Sequence, residues 1–370
     1  MLKRLYADNY RCLVDFELHF EHMNLLLGPN GGGKSTVFDL LFSIRRLLVD
    51  QVKVNELFAS TDFTAWINMS EPRQSFKIDV EINNEIYTYH LDISYDFKHE
   101  KQRIECEMLH IGNKHLFDFI DGMVIVYFDN KPGAIKYSFD RTYSALSYVE
   151  AGKENSKLVQ FKTWIERLFI GNIQPKTMDS VTHAESLWLK RDCSNFASWY
   201  RYFSQEHQDR VIEITKQLRE VIPGFHAFKL ELAGKARILK VGFVGEDEKD
   251  GPCFFDFQDV SDGQRVLIVL YTLLFGLQGL GYTFFLDEPE NYVALPEIQP
   301  WLMELSDACG EGFPQVVLIS HHPELIDYFG GEYGQWIERD PLGPTRVRTS
   351  PERIYTGLKL SEQIARGWTE

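Results

Sequence analysis

Cysteine is scarce in this chain, and its five copies lie far apart. Cys12, Cys106, Cys193, Cys253 and Cys309 are odd in number and form no Cys-x-x-Cys pair. That pattern argues against a disulfide framework or a zinc motif and favours reduced core thiols. Low-complexity stretches, internal repeats and sustained heptads are also missing, so a long coiled coil is not expected. The first residues, MLKRLYADNYRCLVDF, lack the apolar core of a signal peptide. Positive charge is in deficit: 39 Lys and Arg against 54 Asp and Glu leave a net charge of −15. This excludes a surface that coats nucleic acid indiscriminately, although a local basic groove is compatible with it. Only residues 266–286 form an uncharged run long enough to imitate a membrane span. Gly276, Gly279 and Gly281 interrupt that run and Gln278 sits inside it. It reads as a buried helix, a glycine turn and a buried strand. The protein is therefore expected to be cytoplasmic, with no membrane partner.

What is present is an alternation of element types. Residues 23–27 form an apolar strand that ends at Gly28, and from Lys34 a helix places Val37, Leu41, Ile44 and Leu48 on one face. Residues 75–140 switch to period two. Phe76, Ile78, Val80 and Ile82 alternate with charged residues, as do Tyr87, Tyr89, Leu91, Ile93 and Tyr95 after the Asn83-Asn84 turn. Ile104, Cys106 and Met108 then alternate with Glu105 and Glu107. An antiparallel meander with one buried face follows, with the two glutamates on the wet side. Residues 155–222 read as mostly helical, with one long helix over 195–222 stopped by Pro223-Gly224. Beyond residue 253 helices and strands alternate again, with buried strands at 283–286 and 315–320. The expected organisation is an α/β nucleotide domain in two lobes, 1–150 and 253–370, split by the meander and by a mainly helical insert at 151–252.

Gly28-Pro29-Asn30-Gly31-Gly32-Gly33-Lys34-Ser35 fits GxxxxGK[ST] at every fixed position, between a strand and a helix. Glycines let the backbone wrap a phosphate with its N–H groups turned inward, and the helix N-terminus adds its positive end. Lys34 would place its charge on the β- and γ-phosphates, and Ser35 would offer an oxygen to Mg²⁺. With Thr36 in the same first turn, the nucleotide-contacting set is Gly28, Asn30, Gly31, Gly32, Gly33, Lys34, Ser35 and Thr36. A second element answers it. The apolar run Thr283-Phe284-Phe285-Leu286 ends in Asp287-Glu288-Pro289. Two carboxylates closing a buried strand are costly without a cation nearby. Asp287 is the candidate Mg²⁺ ligand, and Glu288 the candidate base that orients and deprotonates a water.

Three further segments fall into this order. Val260-Ser261-Asp262-Gly263-Gln264-Arg265 precedes a strongly apolar helix, and its serine or aspartate can cap free N–H groups. Val316-Val317-Leu318-Ile319-Ser320 leads into His321-His322-Pro323. Gln174 has two readings, a glutamine that senses Mg²⁺ or an ordinary loop glutamine, and Arg11 has two as well, a nucleotide-contacting basic residue or, preferred, a surface arginine.

GPNGGGKS, VSDGQ, FLDEPEN and SHHPE, in this order, resemble the ABC-type AAA ATPases of the OLD-like branch, related to the RecF and SMC proteins. Asn195-Phe196-Ala197, Ile222-Pro223-Gly224-Phe225 and the stretch from Gly357-Leu358 to Gly367-Trp368 extend the likeness over nearly the whole chain. The resemblance implies a P-loop NTPase head of ABC type, binding ATP and Mg²⁺. It implies that VSDGQ acts in trans, with Ser261, Gly263 and Gln264 of one copy reaching the γ-phosphate held by another. Arg265 stands 22 residues before Asp287, as ABC ATPases have it. Asp262 replaces a glycine of LSGGQ and should point away from phosphate. His321 matches the switch histidine that contacts the γ-phosphate, ahead of His322. A homodimer or higher even oligomer is implied, together with a separately encoded effector in DNA maintenance or phage defence, a nuclease among the candidates, and nucleic acid is left open. The chain departs from full-length OLD proteins in carrying no TOPRIM nuclease segment after the ATPase. It departs from many relatives at Ala294-Leu295-Pro296, where they have Leu-His-Pro. Two other readings stand beside a hydrolysing gate: an ATP-bound scaffold or sensor, and a RecF-like DNA-repair ATPase. A transporter subunit is disfavoured, since 226 residues separate Ser35 from Ser261.

Overall fold

The computed structural model describes residues 1–64, 72–96, 101–245, 251–339, 343–348 and 358–366. Gly357, Gly367 and Trp368, named above for the family resemblance, lie outside the described residues. The chain divides into two compact units, residues 1–168 with 315–370, and residues 169–314. These boundaries differ from the lobes expected at 150 and 252. Residues 315–370 return to the first unit because the strand Gln315–Ile319 pairs in parallel with Met23–Leu27.

The first unit holds two sheets. In the antiparallel one, Phe16–His19 pairs with Leu2–Asp8, which pairs with Arg73–Ile82. Glu85–Asp96, Lys101–Ile111, Lys114–Ile120, Met123–Tyr127 and Ala134–Ser138 follow as a meander. In the other, Met23–Leu27 lies between Gln315–Ile319 and Gly334–Arg339, both parallel to it, with Thr345–Arg348 antiparallel beyond. A strand flanked and covered on both sides favours a mostly apolar run, and all five residues of Met23–Leu27 are buried, Asn24 with its amide bonded to the Glu21 carbonyl. Gln315 stitches the two sheets. Its amide donates to the Leu2 and Glu21 carbonyls, and its oxygen accepts from the Leu2 N–H at 3.0 Å. The helix Lys34–Val49 buries Val37, Leu41, Ile44 and Leu48, as the spacing predicts.

One strand corrects the alternation. The register between Glu85–Asp96 and Lys101–Ile111 slips after Asp92, which faces Cys106 while Ile93 faces Ile104. The extra residue, Glu105, is a β-bulge and inverts the faces beyond it. Glu107, expected in water, is fully buried, while Cys106 and Met108 are only half-buried. Its carboxyl is satisfied by the Tyr89 hydroxyl at 2.8 Å, the Ser144 hydroxyl at 2.5 Å and the Ala145 and Leu146 N–H groups. Burial dominates over these donors and raises the Glu107 pKa above the ordinary glutamate value.

The second unit differs from the mainly helical insert expected at 151–252. Phe225–Ala233 and Ala236–Phe243 form a hairpin, extended by Val181–Thr182 and Cys253–Asp256. The single helix expected over 195–222 is two helices, Phe196–Glu206 and Gln208–Val221, broken at His207. No side chain from 204 to 213 is buried, so no packed stripe holds the helix straight across that polar run. Both helices pack on Asp262–Leu277: a Cβ at Gly276 would stand 2.9 Å from the Phe203 ring. Arg210 donates to the Gly276 and Gln278 carbonyls at 3.1 and 2.6 Å, closing that helix's negative end. The uncharged run resolves as expected into this helix, turns at Gly279 and Gly281, and the buried strand Thr283–Asp287. Among the described residues, no helix is long and apolar enough to cross a membrane.

Candidate nucleotide-binding site

The phosphate loop belongs to the first unit. Gly28 has φ +137°, and a Cβ there would lie 1.9 Å from the Ile337 carbonyl oxygen, so only glycine fits between the strands. Gly33 has φ +110°, and a Cβ would strike the Thr345 hydroxyl at 2.5 Å. That hydroxyl donates to the Gly32 carbonyl at 2.9 Å, bracing the loop from the edge strand. The Lys34 ammonium donates to the Gly28 and Pro29 carbonyls at 2.8 and 3.0 Å, which folds the side chain back over the loop. Asn30 and Gly31 are exposed at the loop tip, and Ser35 is exposed at the helix N-terminus. The Thr36 hydroxyl accepts from the Cys12 thiol at 3.6 Å.

His321 belongs to the same unit. Ile319 faces Leu26 in the parallel ladder, so His321 and Gly28 each follow by two residues at the same carboxyl end of adjacent strands. Ligands of open α/β sheets gather at that end. His322 is committed elsewhere: it caps the helix Pro323–Tyr333, its Nδ1 accepting from the Glu324 N–H at 3.3 Å. His321 is exposed. Arg11 is exposed, as a surface arginine should be, and is held by two ion pairs. It donates to Asp62 at 2.7 Å and to Asp39 of the phosphate-loop helix at 2.6 Å, and its pKa lies above the ordinary arginine value because these carboxylates outweigh its partial burial.

The second unit holds the other residues singled out in the sequence. Thr283–Asp287 is buried throughout and carries Asp287 at its end. Glu288 follows with φ +49°, and its carboxylate accepts from the Asn291 amide at 2.8 Å. Ser261 caps Asp262–Leu277, accepting from the Gln264 N–H at 3.3 Å and donating to the Gln264 side-chain oxygen at 3.0 Å. The Asp262 carboxylate ion-pairs with Arg265. Arg265 also donates to the Pro175 carbonyl at 2.7 Å. Gln174, one residue earlier, accepts from the Tyr292 hydroxyl at 3.4 Å and bonds to Asn172. A Cβ at Gly263 would stand 2.8 Å from the Tyr292 carbonyl. Tyr292 thus links Gln174, the turn after Glu288, and the serine-led helix tip within one unit.

A family description, "AAA ATPase domain", matches residues 1–217. The chain belongs to the AAA ATPase family. A second description, "AAA domain, putative AbiEii toxin, Type IV TA system", matches residues 167–327. This AAA ATPase is 49% identical over 37 residues to an OLD nuclease of Thermus scotoductus, a stretch that covers 10% of the chain and 7% of that relative. A solved SMC head, bound to the C-winged helix domain of ScpA, superposes with TM-score 0.55 at 11% identity, covering 98% of this chain and 99% of that one. The SMC head domain from Thermotoga maritima gives TM-score 0.46 at 12% identity, covering 94% and 98%. The first likeness shows the fold, that of an SMC head. Sequence reasoning used Arg265 only for its spacing and missed Tyr292 and Thr345 in this AAA ATPase. No motif contains Tyr292 or Thr345, and only Asp262 three residues before Arg265 on one helix face hinted at an ion pair.

Proposed function

We propose that two copies of this chain close on Mg-ATP, hydrolyse it, and by closing and opening gate a separately encoded effector. The observation that carries the reading is the tip of Asp262–Leu277. Ser261 is exposed there, and the carboxylate of Asp262 beside it is taken up by Arg265. A helix N-terminus carries about half a positive charge, and its free donors suit a phosphate brought by another molecule.

Lys34 places its ammonium on the terminal phosphates, exchanging the loop carbonyls for phosphate oxygens, and the loop N–H groups hold the rest. Ser35 and Asp287 have the oxygen donors that would hold Mg²⁺, whose charge offsets that of the triphosphate. Glu288, its direction fixed by Asn291, orients a water and accepts its proton. His321 contacts the γ-phosphate from its strand end. Gln174 reports on the nucleotide to the helix tip through Tyr292 and Arg265. Ser261, Gly263 and Gln264 of the second copy complete the cradle, and loss of the γ-phosphate releases them. The OLD match is to a nuclease and the SMC head is one bound to a partner's domain, which supports an effector protein in the same role.

Phosphate release by Glu288→Gln tests the chemistry. It should fall about 10³-fold, within the usual worth of a positioned base, with ATP still bound. Turnover at the parental rate would remove Glu288 from the mechanism.

A further inference from the structure

The antiparallel sheet carries a group that the nucleotide chemistry does not use. Tyr87 and Tyr89 stack on Phe161 of the helix Ser156–Glu166, which defines the covered face. His90 and Asp92 alternate with them and project from the other face. Cys106 is the cross-strand partner of Asp92. Plain alternation from Ile104 would send Cys106 into the core. The bulge at Glu105 turns it out, onto the face of His90 and Asp92. One donor atom from each of His90, Asp92 and Cys106 lies within 4.8 Å of the other two. Asp92 is 1% exposed and His90 17%, so the cluster is sunk into the sheet surface.

We propose that His90, Asp92 and Cys106 form a site for a zinc-class divalent ion. One nitrogen, one carboxylate oxygen and one sulfur suit Zn²⁺ and its borderline-soft neighbours, whereas Mg²⁺ and Ca²⁺ require oxygen shells. Tetrahedral bonds of about 2.0–2.3 Å place ligand atoms roughly 3.3–3.8 Å apart, so small rotamer changes close the cluster. Three protein ligands leave the fourth position to water. Arg73 supplies the exchange partner. Its guanidinium pairs with Asp92, yet its side chain is 57% exposed, so it swings to solvent as the metal enters. The buried carboxylate therefore keeps a counter-charge throughout. His90 Nε2 lies 2.9 Å from Asp92 Oδ1 and 3.3 Å from the Ser75 hydroxyl, and the ion would take the place of the proton shared there. The bound ion ties two strands at the point where the bulge interrupts their ladder. The cysteine spacing carries no zinc motif because the ligands come from two strands and meet only through the bulge.

Titration of the full chain with Co²⁺ tests this, because a Co²⁺–thiolate bond has a near-ultraviolet charge-transfer band that oxygen-only sites lack. The band should saturate at one Co²⁺ per chain and vanish when Zn²⁺ is added in excess. Cys106→Ser should abolish it, and His90→Gln should weaken Co²⁺ binding by at least about 10-fold. Ser35→Ala, at the proposed Mg²⁺ position, should leave it intact. Retained ATP binding by Cys106→Ser shows that the fold survives, and His90→Gln gives the same test by a second residue. Absence of the band from the parent chain, its survival in Cys106→Ser, or parental affinity in His90→Gln overturns the proposal.

Discussion

The phosphate loop and the serine-led helix tip, the two elements proposed above to face a triphosphate, are built from different materials. The loop is built from backbone. Gly28 lies against the Ile337 carbonyl, Thr345 braces Gly32, and Lys34 is folded over two loop carbonyls. The tip is built from side chains. Ser261 caps, Asp262 is neutralised by Arg265, and Arg265 reaches to Pro175. A backbone site leaves little to substitution and shapes itself. A side-chain site stays exposed and can be coupled to a neighbouring loop, which suits a surface offered to a second copy.

Several substitutions would sharpen or break this contrast. The largest effect is expected for Gly28→Val, which puts a branched side chain against the Ile337 carbonyl at positive φ. ATP binding measured by titration calorimetry should be lost altogether. If it is retained, the loop is not backbone-determined. Lys34→Ala should weaken ATP binding by about 3 kcal/mol, over 100-fold in Kd, by the same measurement. Glu107→Ala probes a part of the first unit remote from either motif in sequence. Orphaning the Tyr89 and Ser144 hydroxyls and two N–H groups should cost about 3 kcal/mol in denaturant unfolding, with ATP still bound. Since burial raises the Glu107 pKa, the folded chain holds this proton at pH values where the unfolded chain has released it. Its contribution is therefore complete below the ordinary glutamate value and declines as pH rises towards the folded value. Glu107→Gln should flatten that decline.

Arg265→Ala frees the Asp262 carboxylate at the tip. Turnover should drop about 10²-fold, with the ATP affinity of a single copy unchanged. If affinity falls with turnover, the tip serves its own loop rather than a partner's. The smallest effect belongs to His322→Ala, which should lose only a cap worth about 1 kcal/mol and keep parental phosphate release.

The strands and helices that carry the motifs were legible because each rests on local rules. The loop needs its glycines in sequence, and the strand before it must be apolar because it is flanked by parallel neighbours. What escaped was set by non-local pairing. One extra residue, Glu105, moved Glu107 into the core and Cys106 out of it, and nothing in the run from Ile104 to Met108 signals where a bulge falls. The return of 315–370 to the first unit likewise depends on a parallel pairing across some 290 residues. The break at His207 lies in a polar run whose helical spacing continues through it. Asp262 illustrates a middle case: its need to avoid phosphate followed from charge alone, but its partner Arg265 and the link to Pro175 required the fold.

The most direct measurement is the mass of the Glu288→Gln particle in solution with saturating ATP and Mg²⁺, by light scattering after gel filtration. Shared use of the triphosphate predicts twice the chain mass, reverting to one chain mass when Ser261→Arg is added. A single-chain mass for Glu288→Gln under these conditions, or a doubled mass indifferent to Ser261→Arg, would contradict it.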